Sequence, residues 1–237
     1  MRTLLIFFLL FSPYFLRAEE ADSEELNFSS TPLIVPGVLL ALGVYGTIDK
    51  GWDDGIKQQT VELHGKETID DAIVFLPIAS AYALDWCGVR SKHNCRDKTV
   101  VTATSAAFLL GTTFALKKTT HVLRPDGSDS HSFPSRHTAI AFAGAELLRQ
   151  EYGEHSPWYG VAAYGVATCS GLLRIYSNKH WFSDILAGAG IGILSTKAAY
   201  WLYPTIKKLY AKDASHDIAF IPYLVPSGYG ISLSVRF

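Results

Sequence analysis

Three short stretches of this sequence place side chains suited to holding and attacking a tetrahedral oxyanion. In "KKTTHVLRP", Lys117 and Arg124 are separated by six residues, and Pro125 follows. "FPSRHT" contributes Ser135, Arg136 and His137, and "LLRIYSNKHWFSD" sets Arg174, His180 and Asp184 apart by five and then three residues. Guanidinium groups grip phosphate oxygens two at a time and a lysine adds a point charge, so Lys117, Arg124 and Arg174 aimed at one spot make an anion pocket. Ser135 falls at the N-cap of a helix expected to begin near Thr138, where free backbone N–H groups and the helix dipole favour negative charge. His180 and Asp184 have the spacing at which a carboxylate orients an imidazole, which supplies a nucleophile and its orienter. His121 and His131 lie in the same region but outside the pattern and read as loop or supporting residues.

Apolar segments of helical length flank these stretches. They are Pro32 to Ile48, Asp71 to Trp86, Thr99 to Leu116, Thr138 to Leu148, Trp158 to Leu173 and Ile185 to Leu202. Runs such as "TVVTATSAAFLLGTTFAL" and "ILAGAGIGILSTKAAYWLY" are rich in Gly, Ala, Ser and Thr, which let helices approach closely. The expected fold is therefore all-α, a tight bundle of about six apolar helices. A charged connector, "DKGWDDGIKQQTVELHGKETI", joins the first two segments, and a basic one, "GVRSKHNCRDK", the next two. At the C-terminus "IAFIPYLV", "PSGYG" and "ISLSVRF" read as a short β-hairpin. Cys87, Cys95 and Cys169 form no metal-ligand pattern. In an oxidising compartment Cys87 and Cys95 can pair across a short loop; three free thiols is the alternative, and Cys169 is expected in the core.

With 49% hydrophobic and 18% charged residues, the 237-residue chain suits one domain with a sizeable core or a small set of membrane helices. A net charge of -1 gives no global attraction to nucleic acid. Residues 1–18 have the pattern of a signal peptide, a basic residue before a short apolar core, with a retained anchor as the alternative. A polar lead (19–31), the helical region (32–203) and a tail with the hairpin (204–237) complete the expected organisation.

The three stretches resemble the pattern of the type 2 phosphatidic acid phosphatase (PAP2) superfamily, which includes class A acid phosphatases and vanadium haloperoxidases: K-x6-R-P, then P-S-G-H, then S-R-x5-H-x3-D. Lys117, Arg124 and Pro125 match the first part, Pro134, Ser135 and His137 the second, and Arg174, His180 and Asp184 the third. Arg136 stands where the family usually has glycine and Leu173 where it usually has serine. The glycine contributes mainly a backbone N–H, which Arg136 retains while adding a charge to the phosphate-binding set.

The resemblance implies a PAP2-like bundle in which His180 attacks phosphorus to give a phosphohistidine, Asp184 orients it and His137 protonates the leaving oxygen. Lys117, Arg124, Ser135, Arg136 and Arg174 would hold the phosphoryl oxygens, and the scheme needs no metal or cofactor. The implied substrate is a phosphomonoester or pyrophosphate, and the apolar helices favour one on a membrane lipid such as phosphatidate, polyprenyl diphosphate or lipid A. A soluble acid phosphatase, a vanadium haloperoxidase and a non-catalytic anion-binding envelope protein are the alternatives. Basic residues at Arg90, Lys92, Arg96 and Lys98, and again at Lys207, Lys208 and Lys212, point those ends to the cytoplasm and the site to the periplasm. With a cleaved signal, Pro32 to Ile48 cannot also cross in the required sense, and Pro32 and Pro36 mark it as interfacial or re-entrant.

Overall fold

The structure is a computed structural model and describes residues 31–59, 71–211, 217–225 and 228–236. The expected signal peptide and almost all of the polar lead lie outside the described residues. The chain divides into two units, Met1–Pro32 and Leu33–Phe237, and apart from the first two residues of α1 everything below belongs to the second.

Seven helices are described: α1 (Thr31–Ile48), α2 (Gly51–Gln59), α3 (Leu76–Trp86), α4 (Cys95–Thr120), α5 (Arg136–Tyr152), α6 (Pro157–Tyr176) and α7 (Phe182–Ala211). Each predicted apolar segment contains a helix. The unexpected one is α2, in the charged connector: it is too polar to make an apolar run, but Asp53 and Asp54 in its first turn complement the positive end of the helix dipole. Boundaries follow local chemistry. Asn94 caps α4 by accepting the N–H of Asp97 at 2.8 Å, and His121, at φ 49°, ends that helix in the left-handed region. Pro77 lies in the first turn of α3, where its missing N–H costs nothing. The C-terminal hairpin is present as β1 (Asp217–Val225) paired antiparallel with β2 (Gly228–Arg236), in a register running from Asp217 opposite Arg236 to Val225 opposite Gly228.

α5 is the central element and packs against α6, α7 and α3, while α4 lies along α7. Its contact with α7 is close because Gly188 and Gly192 face it. A methyl group at Gly192 would lie 2.3 Å from the Ala139 carbonyl oxygen, and one at Gly188 would lie 2.5 Å from that of Ser135. On α6 the buried stripe runs through Gly160, Ala163, Ala167, Ser170, Gly171 and Arg174. Cys169 falls off that stripe and is exposed, which corrects the expectation that it is a core residue; Cys87 and Cys95 are also free and exposed.

α4 and the Phe182–Leu209 portion of α7 are long and apolar enough to cross a membrane. With 26 residues α4 is about 39 Å long, against a hydrocarbon core of about 30 Å. Leu33–Ile48 and Gly51–Gln58 together form a third candidate bent by 87°, the geometry of a broken span or a re-entrant segment. At the end of the bundle remote from the three stretches, three of the cations that suggested an orientation are paired. Lys98 is fully buried, donates to the Ala81 carbonyl at 2.6 Å and pairs with Asp85. Lys92 pairs with Glu154 at 2.7 Å and Lys207 with Asp97 at 3.0 Å.

The α5–α7 contact generates a prediction. Gly192→Ala should destabilise the protein by about 1–3 kcal/mol, because a Cβ facing backbone cannot be accommodated by a rotamer change. Gly165→Ala, where a Cβ would meet nothing within 4 Å, should be neutral or slightly stabilising. Thermal unfolding of the two variants in one detergent checks this.

Candidate active site

The site forms where the C-terminus of α4, the N-terminus of α5 and the α6–α7 junction meet. A backbone hydrogen bond from Ser135 N to Asp184 O, 3.1 Å long, ties the start of α5 to the first turn of α7. Ser135 is the N-cap of α5, which begins at Arg136. Its buried hydroxyl accepts from Thr138 N at 3.4 Å and is 2.9 Å from the Thr138 hydroxyl, so part of its capacity is spent on the helix start.

His180 sits two residues before α7, only 4% exposed, with Nδ1 3.1 Å from Asp184 Oδ2. Asp184 is completely buried, and the same oxygen accepts from Trp181 N at 2.9 Å and from the Ser132 hydroxyl. Ser132 Oγ is also 3.4 Å from His180 Nδ1, so serine, aspartate and histidine form one buried unit. Donating Nδ1–H to the carboxylate leaves Nε2 as the ring edge that carries the lone pair. Burial holds the His180 imidazole below its ordinary pKa against the opposing pull of Asp184, and the nearby charges of Lys117 and Arg124 add to the lowering. At neutral pH His180 is therefore uncharged, the state a nucleophile needs.

His137, in the first turn of α5, points Nε2 at Asp71 Oδ1 at 2.9 Å. The same oxygen accepts from Arg174 Nη2 at 2.7 Å, and the buried Arg174 Nε has no partner among the described residues. Partial burial, helped by the positive charge of Arg174 and opposed by Asp71, brings His137 down to about 4. Arg174 holds the Asp71 carboxyl below the usual range. Asp71 was not singled out in the sequence, and at 103 positions from Arg174 no local pattern could have found it.

The remaining predicted residues divide. Lys117 lies at the end of α4 and donates to the carbonyls of His131 and Ser132, at 2.5 and 3.0 Å, so it anchors the loop that carries Ser132. Arg124 Nε is 3.0 Å from Asp129 Oδ2, without hydrogen-bond alignment. Arg136 is exposed on the first turn of α5 and makes no ion pair among the described residues. His121 is the residue that ends α4, with its ring 6.1 Å from that of His131.

Two supporting residues escaped sequence reading besides Asp71. Ser132 lies in the loop between α4 and α5, two residues before Pro134, but its partner is 52 positions away. Asp53 on α2 is buried and accepts from both the backbone N–H and the hydroxyl of Ser183, at 3.0 and 2.6 Å, which clamps the residue next to Asp184. Among the described residues no group of three or more His, Cys, Asp or Glu is placed to hold a metal ion. The site brings together a neutral imidazole with a fixed tautomer, a guanidinium with an unused N–H, and a second imidazole that can gain or lose a proton, a set suited to a phosphate-like anion.

Residues 98–208 match the sequence profile of the PAP2 superfamily. A lipid A 1-phosphatase of Porphyromonas gingivalis is 41% identical over 135 residues, which is 56% of this chain and 30% of that protein. A bacitracin transport permease protein, BcrC, of Bacillus licheniformis is 31% identical over 80 residues, 34% of this chain and 37% of that protein. The chain thus spans about a third of the length of the curated relatives it matches.

Among solved structures, Aquifex aeolicus LpxE aligns with a TM-score of 0.44 at 20% identity, over 57% of this chain and 85% of that one. A transmembrane PAP2-type phosphatidylglycerolphosphate phosphatase from Bacillus subtilis aligns with a TM-score of 0.47 at 20% identity, over 76% of this chain and 99% of that one. The segment 98–208, which carries Lys117, Arg124, Ser135, His137, Arg174, His180 and Asp184, is thus the part of the chain that matches the PAP2 superfamily.

Proposed function

We propose that the chain is a phosphatase that removes a phosphoryl group from a phosphomonoester or diphosphate on a membrane lipid, by way of a phosphohistidine. The observation that carries this reading is the buried Ser132–Asp184–His180 unit, which holds a neutral imidazole beside the cationic cluster. His180 Nε2 attacks phosphorus; the P–O bond to the alcohol breaks as the P–N bond forms. The departing oxygen takes the proton of His137, and Arg174 and Arg124 carry the charge on the phosphoryl oxygens. Water then attacks phosphorus, His137 takes up the proton, the P–N bond breaks, and inorganic phosphate leaves. Asp184 keeps the His180 tautomer and balances the charge its ring gains, and Ser132 holds Asp184.

The lipid assignment rests on α4 and α7, both long enough to span, and on a relative named as a lipid A 1-phosphatase. The site opens at the end of the bundle opposite Arg90 and Lys92, so the positive-inside rule faces it to the periplasm of an exporting cell. Phosphate release from dispersed lipid phosphate should exceed release from a small water-soluble ester; preference for the small ester would overturn the lipid assignment.

Three outcomes test the roles. His180→Ala should abolish turnover together with any acid-labile phosphoenzyme, and near-normal turnover in this variant would sink the mechanism. His137→Ala should cost about 10²–10⁴-fold with a poor alkoxide leaving group and far less with an activated aryl phosphate. Because His137 is held at about 4 in the free protein, its acid form is the minority species above that pH. The kcat/KM for an alkyl phosphate should accordingly fall by up to about tenfold per pH unit on the alkaline side, a limb the aryl phosphate lacks. Ser132→Ala should lower kcat by about tenfold to a hundredfold, the rate equivalent of one charge-assisted hydrogen bond, while vanadate inhibition stays unchanged.

A further inference from the structure

Asp71 makes a contact that the proposed chemistry does not use. One oxygen, Oδ1, accepts from Arg174 Nη2 at 2.7 Å and lies 2.9 Å from His137 Nε2. Those two groups are the ones that must receive, respectively, a phosphoryl oxygen and the departing ester oxygen. The carboxylate therefore stands where an oxygen of the substrate's phosphate has to stand. The two aspartates of the site differ in how they are built in. Asp184 is fully buried and held by Trp181 N and the Ser132 hydroxyl as well as by His180. The Asp71 side chain is 63% exposed, and among the described residues it pairs with Arg174 and His137 alone. A carboxylate that served to orient His137 would be expected to have supports of its own. Among the described residues this one is held by the groups the substrate needs.

We infer that Asp71 is an internal competitor for the phosphoryl site: it is displaced when a phosphate enters, and it reclaims Arg174 and His137 when inorganic phosphate departs. The inference rests on the phosphatase reading above. The physical basis is like-charge exclusion. Arg174 Nη2 cannot hold the carboxylate oxygen and a phosphoryl oxygen side by side without placing two anions within a few ångströms of each other. Displacement weakens the binding of every phosphate. A lipid compensates through its apolar part in the membrane, whereas free phosphate has nothing remote to contribute. In the occupied site the dianionic phosphoryl group takes over the role of Asp71 in favouring the charged form of His137, so the chemical step does not need the carboxylate. Asp71 thus works on product release and on resistance to the product.

The test is the affinity for inorganic phosphate, measured by calorimetry on the purified full chain. That readout needs no turnover and remains interpretable even if the wild-type chain releases no phosphate from lipid, the result that would defeat the phosphatase reading instead. Asp71→Asn and Asp71→Ala should each tighten phosphate binding by about fivefold to thirtyfold, the worth of an exposed charge-assisted contact removed from the competing state. Progress curves with lipid phosphate should bend earlier from product inhibition. Asp126→Asn removes a carboxylate that pairs with Lys179 on the same rim, not with Arg174, and should change the affinity by less than about twofold. Phosphate affinity that stays within twofold of wild type, or weakens, in both Asp71 variants would overturn the inference. So would equal tightening in Asp126→Asn, which would reduce the effect to net charge. Asp71 is exposed, and unchanged thermal midpoints for the variants exclude misfolding as the cause.

Discussion

The hydrogen bond from Ser135 N to Asp184 O is the constraint on which the site depends, because it joins the start of α5 to the start of α7. One partner caps the helix that carries His137; the other lies on the turn that holds His180. This bond exists only because the two helices nearly touch. Gly188 and Gly192 place α7 against the backbone of α5, and a Cβ at either would meet a carbonyl oxygen. Two glycines facing Ala139 and the start of α5 therefore fix the separation of the two histidines. The helix ends supply the rest: α4 delivers Lys117 under the loop, and α6 delivers Arg174 from its last turn.

Two histidines with the same intrinsic chemistry take different parts because their surroundings differ. Both are held below their ordinary pKa, chiefly by burial. His180 has a buried carboxylate fixed from three directions, so its ring is locked in one tautomer and one orientation. His137 faces an exposed carboxylate and a guanidinium, and its proton is free to be exchanged with whatever occupies that space. A rigid imidazole beside a labile one fits the proposed nucleophile and acid, in keeping with the general rule that paired titratable groups acquire roles when their environments differ.

Much of this was legible in the sequence. The helices announced themselves as apolar runs, and the spacing of Lys117, Arg124, Ser135, His137, Arg174, His180 and Asp184 marked the pocket, because each group lies beside a helix end whose position the apolar pattern sets. What could not be read was contact between distant parts of the chain. Asp71, Asp53 and Ser132 are ordinary polar residues locally and acquire meaning only when folding brings Arg174, Ser183 and Asp184 to them. α2 was hidden because its polar composition masks a helix whose inward residue is an aspartate. Cys169 was misplaced because composition reports that a helix is apolar but not which side of it meets the bundle. Lys117 and Lys98 show the same limit: a lysine counted as a free charge turns out to be a bonded one.

The cysteines have a practical consequence. Cys87 and Cys95 bracket the α3–α4 connection, beyond the end of α5 remote from His137, and both are exposed free thiols. The 17 residues of α5 put about 25 Å between that connection and His137 and His180. The native chain thus carries two chemical reporters at one pole of the bundle and His137 and His180 at the other. With Cys169, the exposed thiol of α6, replaced by serine, a maleimide too polar to cross a bilayer, added to intact and to opened cells, can register which pole faces outward.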